Sequence, residues 1–121
     1  MEINELRKIL ETVRKLPKIE LATERSEEAP LVNYQFSLLI RISLKASLIL
    51  SLIQDNKIRE EDIKPIEDWF EYLKPIMRKK GDNYVLIKKT LQNPRESTAP
   101  LLILDLILDT IILKTKPEYN N

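Results

Sequence analysis

The chain of 121 residues is long enough for one domain with a core, and its content of 43% hydrophobic and 32% charged residues excludes disorder and is typical of a globular protein. A net charge of +1 gives no general attraction to nucleic acid or to an anionic membrane. The absence of cysteine and histidine excludes disulfides, thiolate zinc sites and histidine-based catalysis, and a single glycine excludes glycine-rich phosphate loops. The richness in Ile, Leu, Lys and Glu resembles that of thermophile proteins.

The first predicted element is an amphipathic helix over residues 2–16, whose apolar side chains recur at spacings of three and four. Its beginning is charged and lacks the apolar core of a signal peptide, which predicts a cytoplasmic protein. Pro17 ends this helix, because proline lacks an amide donor and clashes with the preceding turn. Residues 18–29 are acidic with few large apolar side chains, which predicts a flexible connection.

The central predicted element is a long hydrophobic helix over residues 31–54, with Pro30 opening its first turn. One face is apolar throughout, and the opposite face is only half polar, which is typical of a buried helix at the centre of a bundle. Its length would allow it to cross a membrane. However, Arg41 and Lys45 near its middle would each cost about 2.5–3.5 kcal/mol in a bilayer, so we expect no membrane association.

Three more helices are predicted after a turn at residues 55–57. One carries the periodic apolar residues from Ile63 to Met77, the next covers residues 83–92, and the last covers 101–114. Ser97 or Thr98 would cap the last helix, with Pro100 in its first turn, and residues 117–121 form a polar tail. No strand pattern occurs. We therefore predict one all-α domain over residues 1–121, a compact bundle of about five helices around the central helix, with no sheet.

The last helix is apolar almost all round, and its only charged residues before its end, Asp105 and Asp109, are four residues apart and share one face. The central helix carries Arg41 and Lys45 at the same spacing, which indicates a charge ladder between the two helices. In an antiparallel pair, Arg41 would meet Asp109 and Lys45 would meet Asp105. Alternatively, the two carboxylates line a thin solvated stripe and contact nothing.

A third interpretation places a divalent metal on Asp105 and Asp109, as in a carboxylate-metal phosphohydrolase. Such a site needs further carboxylates facing the first two. The candidates are Glu67 with Glu71 and Glu60 with Glu61. Both pairs lie on a segment that is typical of a solvated charged face, and we expect no enzyme, no metal, no other cofactor and no small-molecule substrate.

A bundle of about five helices can surround one helix completely, but this chain has two predicted helices that are apolar nearly all round. Apolar surface left on the C-terminal helix would then bind another protein or a second copy of the chain, unless residues 18–29 fold over it. The candidate interface residues are Leu102, Leu106, Leu108 and Ile112. Our first hypothesis is therefore a non-enzymatic interaction module that self-associates as a homodimer or docks onto a protein partner.

The second hypothesis is a small nucleic-acid-binding accessory protein that uses the basic segment 74–95. This segment has seven Lys or Arg residues against one Asp, grouped around a turn, and a tyrosine there could stack on a base. The candidate contacts are Arg78, Lys79, Lys80, Tyr84, Lys88, Lys89 and Arg95. Alternatively, these charges are solvated helix ends that complement the helix dipoles.

Overall fold

The computed structural model describes residues 1–15, 29–71 and 94–115, and these contain helices and no strand. The helices are α1 (Ile3–Lys15), α2 (Ala29–Gln54), α3 (Glu60–Ile63) and α4 (Pro94–Lys114). A 3-10 turn, Lys64–Ile66, follows α3, and residues 67–71 are again α-helical. The all-α class is confirmed for the described residues. The predicted helix 83–92, the tail 117–121 and the connection up to residue 28 lie outside them.

Helix α2 has nearly the predicted bounds, because strong signals stand at both of its ends. Pro30 is its second residue, where a missing amide hydrogen costs no helical bond. After Gln54 the chain turns through Asn56, which has a φ of 57°. The Asn56 amide donates to the Ile53 carbonyl at 3.0 Å and the Lys57 amide to the Leu52 carbonyl at 2.9 Å. These two bonds satisfy the last carbonyls of the helix and stop it there.

The core lies between α2 and the helices on either side of it. The predicted apolar face of α2 is buried, apart from the half-buried Leu50. Both α1 and α4 pack their apolar sides against this face, and four residues of the segment 58–70 close the core. The buried side chains of these partners are Leu6, Leu10, Val13, Ile58, Ile63, Ile66, Phe70, Leu101, Leu104, Ile107, Leu108 and Ile111.

The segment after α2 is less regular than the sequence pattern predicts. Glu60 begins α3, and the Arg59 amide donates to the Asp62 carboxylate at 3.0 Å, which holds the first turn. Pro65 lies in the 3-10 turn, where its missing donor interrupts the α-helical bonding. Two aromatic residues of the periodic apolar pattern follow this turn. Phe70 is buried, whereas Trp69 is 44% exposed.

Helices α1 and α4 run in opposite directions along α2. The Ser43 hydroxyl donates to the Arg14 carbonyl at 2.7 Å, and Arg7 lines a groove with Gln54, so α1 is antiparallel to α2. On the other side of α2, residues of increasing number contact residues of increasing number in α4. Gln35 contacts Thr98, Arg41 contacts Asp105 and Lys45 contacts Asp109. Helix α4 is therefore parallel to α2, and the antiparallel pairing considered from the sequence is wrong.

Helix α4 also begins earlier than predicted. It starts at Pro94, which fits the first position of a helix, and Pro100 lies inside it rather than in its first turn. Thr98 is not the cap, because it lies within the helix and its hydroxyl accepts a hydrogen bond from the Gln35 amide nitrogen at 2.7 Å. Pro100 cannot donate to the carbonyl four residues before it, so this turn lacks one helical bond.

Candidate protein-interaction surface

The four predicted ladder residues lie together between α2 and α4, and we call them the charge ladder: Arg41, Lys45, Asp105 and Asp109. The Arg41 guanidinium donates to both Asp105 oxygens, at 3.1 Å from Nη2 to Oδ2 and 3.4 Å from Nε to Oδ1. Lys45 Nζ lies 2.6 Å from Asp105 Oδ1 and 2.8 Å from Asp109 Oδ1. Arg41 thus contacts Asp105 and not the expected Asp109, because the helices are parallel.

The charge ladder has an inner pair and two outer charges. The side chains of Lys45 and Asp105 are 17% and 13% exposed, whereas those of Arg41 and Asp109 are 53% and 47% exposed. Burial lowers the pKa of Lys45, but hydrogen bonds to Asp105 and Asp109 outweigh it, so the pKa is raised. The hydrogen bond to Asp105 raises the pKa of Arg41. Two opposite charges therefore remain at the surface, one at each end of the ladder.

Helix α4 exposes a row of leucines on the side away from the core. Leu102, Leu106 and Leu113 form this row, which we call the α4 stripe, and Leu106 is 52% exposed. Leu108, a predicted interface residue, is fully buried, because it lies on the core side of the helix with Leu104 and Ile111. It cannot contact a partner, and its inclusion in the interface was wrong.

Ile112, the last predicted interface residue, is half-buried and packs at the edge of the core. Leu113, which was not among the predicted interface residues, is the most exposed residue of the α4 stripe. The helical periodicity could not rank these residues, because apolar side chains occur on every side of this helix. The side of α4 that faces the core is determined by the position of α2, which the sequence does not give.

Helix α2 also has an exposed apolar row, and sequence reasoning missed it. Ile40, Leu44 and Leu48, spaced four apart, form the α2 stripe, and Leu44 is 67% exposed. The described helices therefore do not cover α2 on all sides, although we expected a surrounded central helix. The available signal was polar residues on the same face: Asn33, Ser37 and Ser51 are all exposed there.

The α4 stripe continues into a shallow groove beside it. The groove has a volume of about 250 Å³ and lies between α4 and the segment 65–69. Leu106 and Trp69 both line it and both expose apolar surface to solvent. The exposed apolar surface around Leu106 is therefore wider than one helix.

The carboxylates proposed for a metal site are placed differently. Asp105 and Asp109 face the cations of α2, and Glu67 lies against the amino group of Met1. Glu61 is 3.5 Å from the Arg59 guanidinium. Within residues 1–15, 29–71 and 94–115, no three His, Cys, Asp or Glu side chains are grouped so that they could hold a metal ion.

The nucleic-acid hypothesis falls almost entirely outside the described residues. Six of its seven candidate contacts belong to segment 72–93, which the structure does not describe. These are Arg78, Lys79, Lys80, Tyr84, Lys88 and Lys89. The seventh, Arg95, is the second residue of α4. This hypothesis stays a prediction.

One described helix is long and apolar enough to cross a membrane, Asn33–Gln54 within α2. A third of that stretch is buried inside the protein, and a core helix of a soluble protein meets the same criteria of length and composition.

Comparison of the chain with family models, with curated proteins and with solved structures found no match.

Proposed function

We propose that this chain is a non-enzymatic helical assembly module that self-associates or docks onto a protein partner through the exposed side of α4. The α4 stripe is the observation that carries the proposal, because it presents three leucines to solvent in one row. Burying a leucine completely contributes about 1.5–3 kcal/mol, so covering this row would contribute substantially to association. Contiguous exposed apolar surface of this kind is typical of protein interfaces.

The charge ladder supports the same proposal by supplying specificity. Arg41 and Asp109 are about half exposed and each has already found one partner within the chain. Fixed charges beside an apolar surface favour a partner with complementary charges and disfavour others. An interface that covers the α4 stripe would lie next to both outer charges.

For the whole chain we propose a compact bundle of about five helices around α2. The contacts of α2 with both α1 and α4 support this, since the long helix lies between them. The fifth helix would be the predicted one at residues 83–92. The exposed α2 stripe means that such a bundle still has a face on which α2 can meet a partner.

The test of the proposed function is the solution mass of a Leu106→Arg variant, measured by light scattering at low and high salt. Leu106 is exposed, so arginine there should leave the fold intact and weaken association, because it places a charge in the apolar surface. Gln54→Arg is the matched control: it also adds one positive charge at an exposed position of a helix, on the side of α2 that faces α1.

We expect wild type and Gln54→Arg to be dimers at both salt concentrations and Leu106→Arg to be a monomer. Persistence at high salt distinguishes apolar burial from simple charge attraction, which salt screens. A wild-type protein that is monomeric at every concentration would contradict self-association. A dimer that Leu106→Arg leaves unchanged would contradict the assignment of the interface to α4.

A further inference from the structure

We propose that the occupant of this surface is a second copy of the chain, bound so that α2 of each subunit packs on α4 of the other. The inference rests on the proposed function and adds the geometry of the interface. The two subunits would be related by a two-fold axis that runs along the helices and passes over the charge ladder. Each contact in such an interface occurs twice.

The levels of the two apolar stripes support this arrangement. Arg41 and Asp105, which lie at the same level, are 64 residues apart in sequence. By that offset, Leu102 lies level with residue 38, Leu106 with residue 42 and Leu113 with residue 49. The α2 stripe occupies residues 40, 44 and 48, so the two stripes cover the same stretch of the molecule. Their levels alternate from Leu102 to Leu44, whereas Leu113 lies nearly level with Leu48.

A rotation about an axis along the helices keeps every level unchanged. It would place the α2 stripe of one subunit opposite the α4 stripe of the other, with Leu106 of the partner subunit between Ile40 and Leu44. Side chains that alternate in level interdigitate, which is how packed helix surfaces fill space. Both stripes would be covered at once, and neither would need a sliding of the subunits.

The charge ladder supports the same pairing. Both of its cations belong to α2 and both of its carboxylates belong to α4. Packing of α2 on α2 of the partner would bring four cations together, and packing of α4 on α4 would bring four carboxylates together. Only α2 against α4 sets opposite charges across the interface. The exposed charges available for these contacts are Arg41 and Asp109.

A lipid surface fits this face less well than a second copy does. The ladder runs through the middle of the apolar face, and its outer charges would have to enter the hydrocarbon together with the leucines. Charged groups there cost several kcal/mol each. A second copy instead meets each outer charge with an opposite one.

The test uses two charge-reversed chains, Arg41→Glu and Asp109→Lys, studied separately and mixed. In a dimer of Arg41→Glu chains, each new glutamate would face the carboxylates of the partner, and in a dimer of Asp109→Lys chains each new lysine would face cations. We expect each variant alone to dimerise at least about tenfold more weakly than wild type. The mixture should recover dimers, since the new glutamate then meets the new lysine.

Native mass spectrometry identifies the recovered species, because the two variant chains differ in mass and a heterodimer has a mass of its own. The chain that carries both changes should also dimerise by itself, since each of the two equivalent contacts in its interface is then a reversed pair of opposite charges. Circular dichroism and thermal unfolding of each variant show whether it is folded. Loss of folding in the single variants leaves the double variant as the decisive measurement.

The proposed geometry is wrong if wild type is a dimer that Leu106→Arg breaks, but mixing yields no heterodimer and the double variant stays monomeric. The proposed function would survive that result. Arg41→Glu that strengthens the dimer would also overturn the geometry, and would indicate α2 packed on α2. A monomeric wild type overturns both, and its co-sedimentation with anionic phospholipid vesicles would identify lipid as the occupant.

Discussion

Lys45 is the cation of the charge ladder whose ammonium contacts both of the ladder's carboxylates, and it thereby links α2 to two positions of α4. Within the ladder, Asp105 contacts two cations, Arg41 and Lys45, whereas Asp109 contacts one, Lys45. The group is mostly buried, so its charge has lost part of its hydration. Its two hydrogen bonds compensate for that loss.

We expect Lys45→Met to lower the free energy of unfolding by about 1–2 kcal/mol at neutral pH, between the values of exposed and buried ion pairs. Methionine keeps most of the length of the side chain and removes the charge, which leaves Asp105 largely buried with Arg41 alone. Arg41→Met is the control, and we expect a smaller effect because that side chain is half exposed. Urea unfolding measures both. Equal losses would contradict the distinction between inner and outer charges.

The raised pKa of Lys45 predicts that the difference in stability between wild type and Lys45→Met depends on pH. The pKa of Lys45 is raised in the folded protein above the ordinary value of 10.5, so the folded state holds this proton more tightly than the unfolded state does. The stabilisation is therefore complete below about pH 10 and is lost as the pH rises through the folded pKa. The difference between wild type and Lys45→Met should shrink over that range. A difference that stays constant would show that Lys45 acts through packing alone.

At the level of single residues, the sequence identified the four charges of the ladder and the contact of Lys45 with Asp105, but not the contact of Arg41 with Asp105. Two cations and two carboxylates, each pair four apart, match in either relative direction of the helices, so spacing could not choose the partner of Arg41. The leucines of α4 posed the same difficulty. Leu106 and Leu108 are chemically identical, and only the position of α2 makes one exposed and the other buried.

At the level of elements, α2 could be predicted closely and α4 could not, and proline explains both results. Pro30 stands where a helix can begin, and the residues after Gln54 favour a turn. Pro100 also looked like a first-turn proline, because a possible cap precedes it. The helix instead begins at Pro94 and passes through Pro100. A pattern that tolerates two starting points does not distinguish between them.

We expect Pro100→Ala to raise the free energy of unfolding by about 1–3 kcal/mol, because alanine restores the missing helical bond and removes the ring clash. Pro30→Ala is the matched control. Its proline lies in the first turn of α2, so the change should have little effect or destabilise slightly through the unfolded chain. Denaturant unfolding and helical content by circular dichroism measure both. A neutral Pro100→Ala would indicate that residues 94–99 contribute little to α4.

At the scale of the whole molecule, the main feature that could not be predicted is the parallel direction of α2 and α4. The all-α class follows from helical periodicity throughout the chain, and the apolar faces of α1 and α2 give half of the buried core residues in the part of the chain that the structure describes. The direction depends on whether α4 begins near the first or the last residue of α2, which is about 39 Å long. Local spacing within either helix contains no information about that choice.

Chemical cross-linking tests the parallel arrangement. The chain has no cysteine, so pairs can be introduced without background. A short bis-maleimide should link Tyr34→Cys with Thr98→Cys in high yield, because Tyr34 is exposed and adjoins Gln35, whose side chain contacts Thr98 at one end of the bundle. Tyr34→Cys with Leu113→Cys is the control, since α4 ends far from Tyr34 when the helices are parallel. Preferential linking of the control pair would show that α2 and α4 are antiparallel.

Parallel packing also gives the molecule an electrical direction. Peptide dipoles of about 3.5 debye add along each helix. Those of α2 and α4 point the same way, and that of the shorter α1 is opposed to them. The described helices together thus have a moment on the order of 100 debye. No acidic residue in the first turn of α2 and no basic residue in its last turn offsets the dipole of α2, whereas Lys114 in the last turn of α4 opposes the dipole of that helix. The two ends of the bundle therefore differ in potential, even though the chain as a whole is nearly neutral.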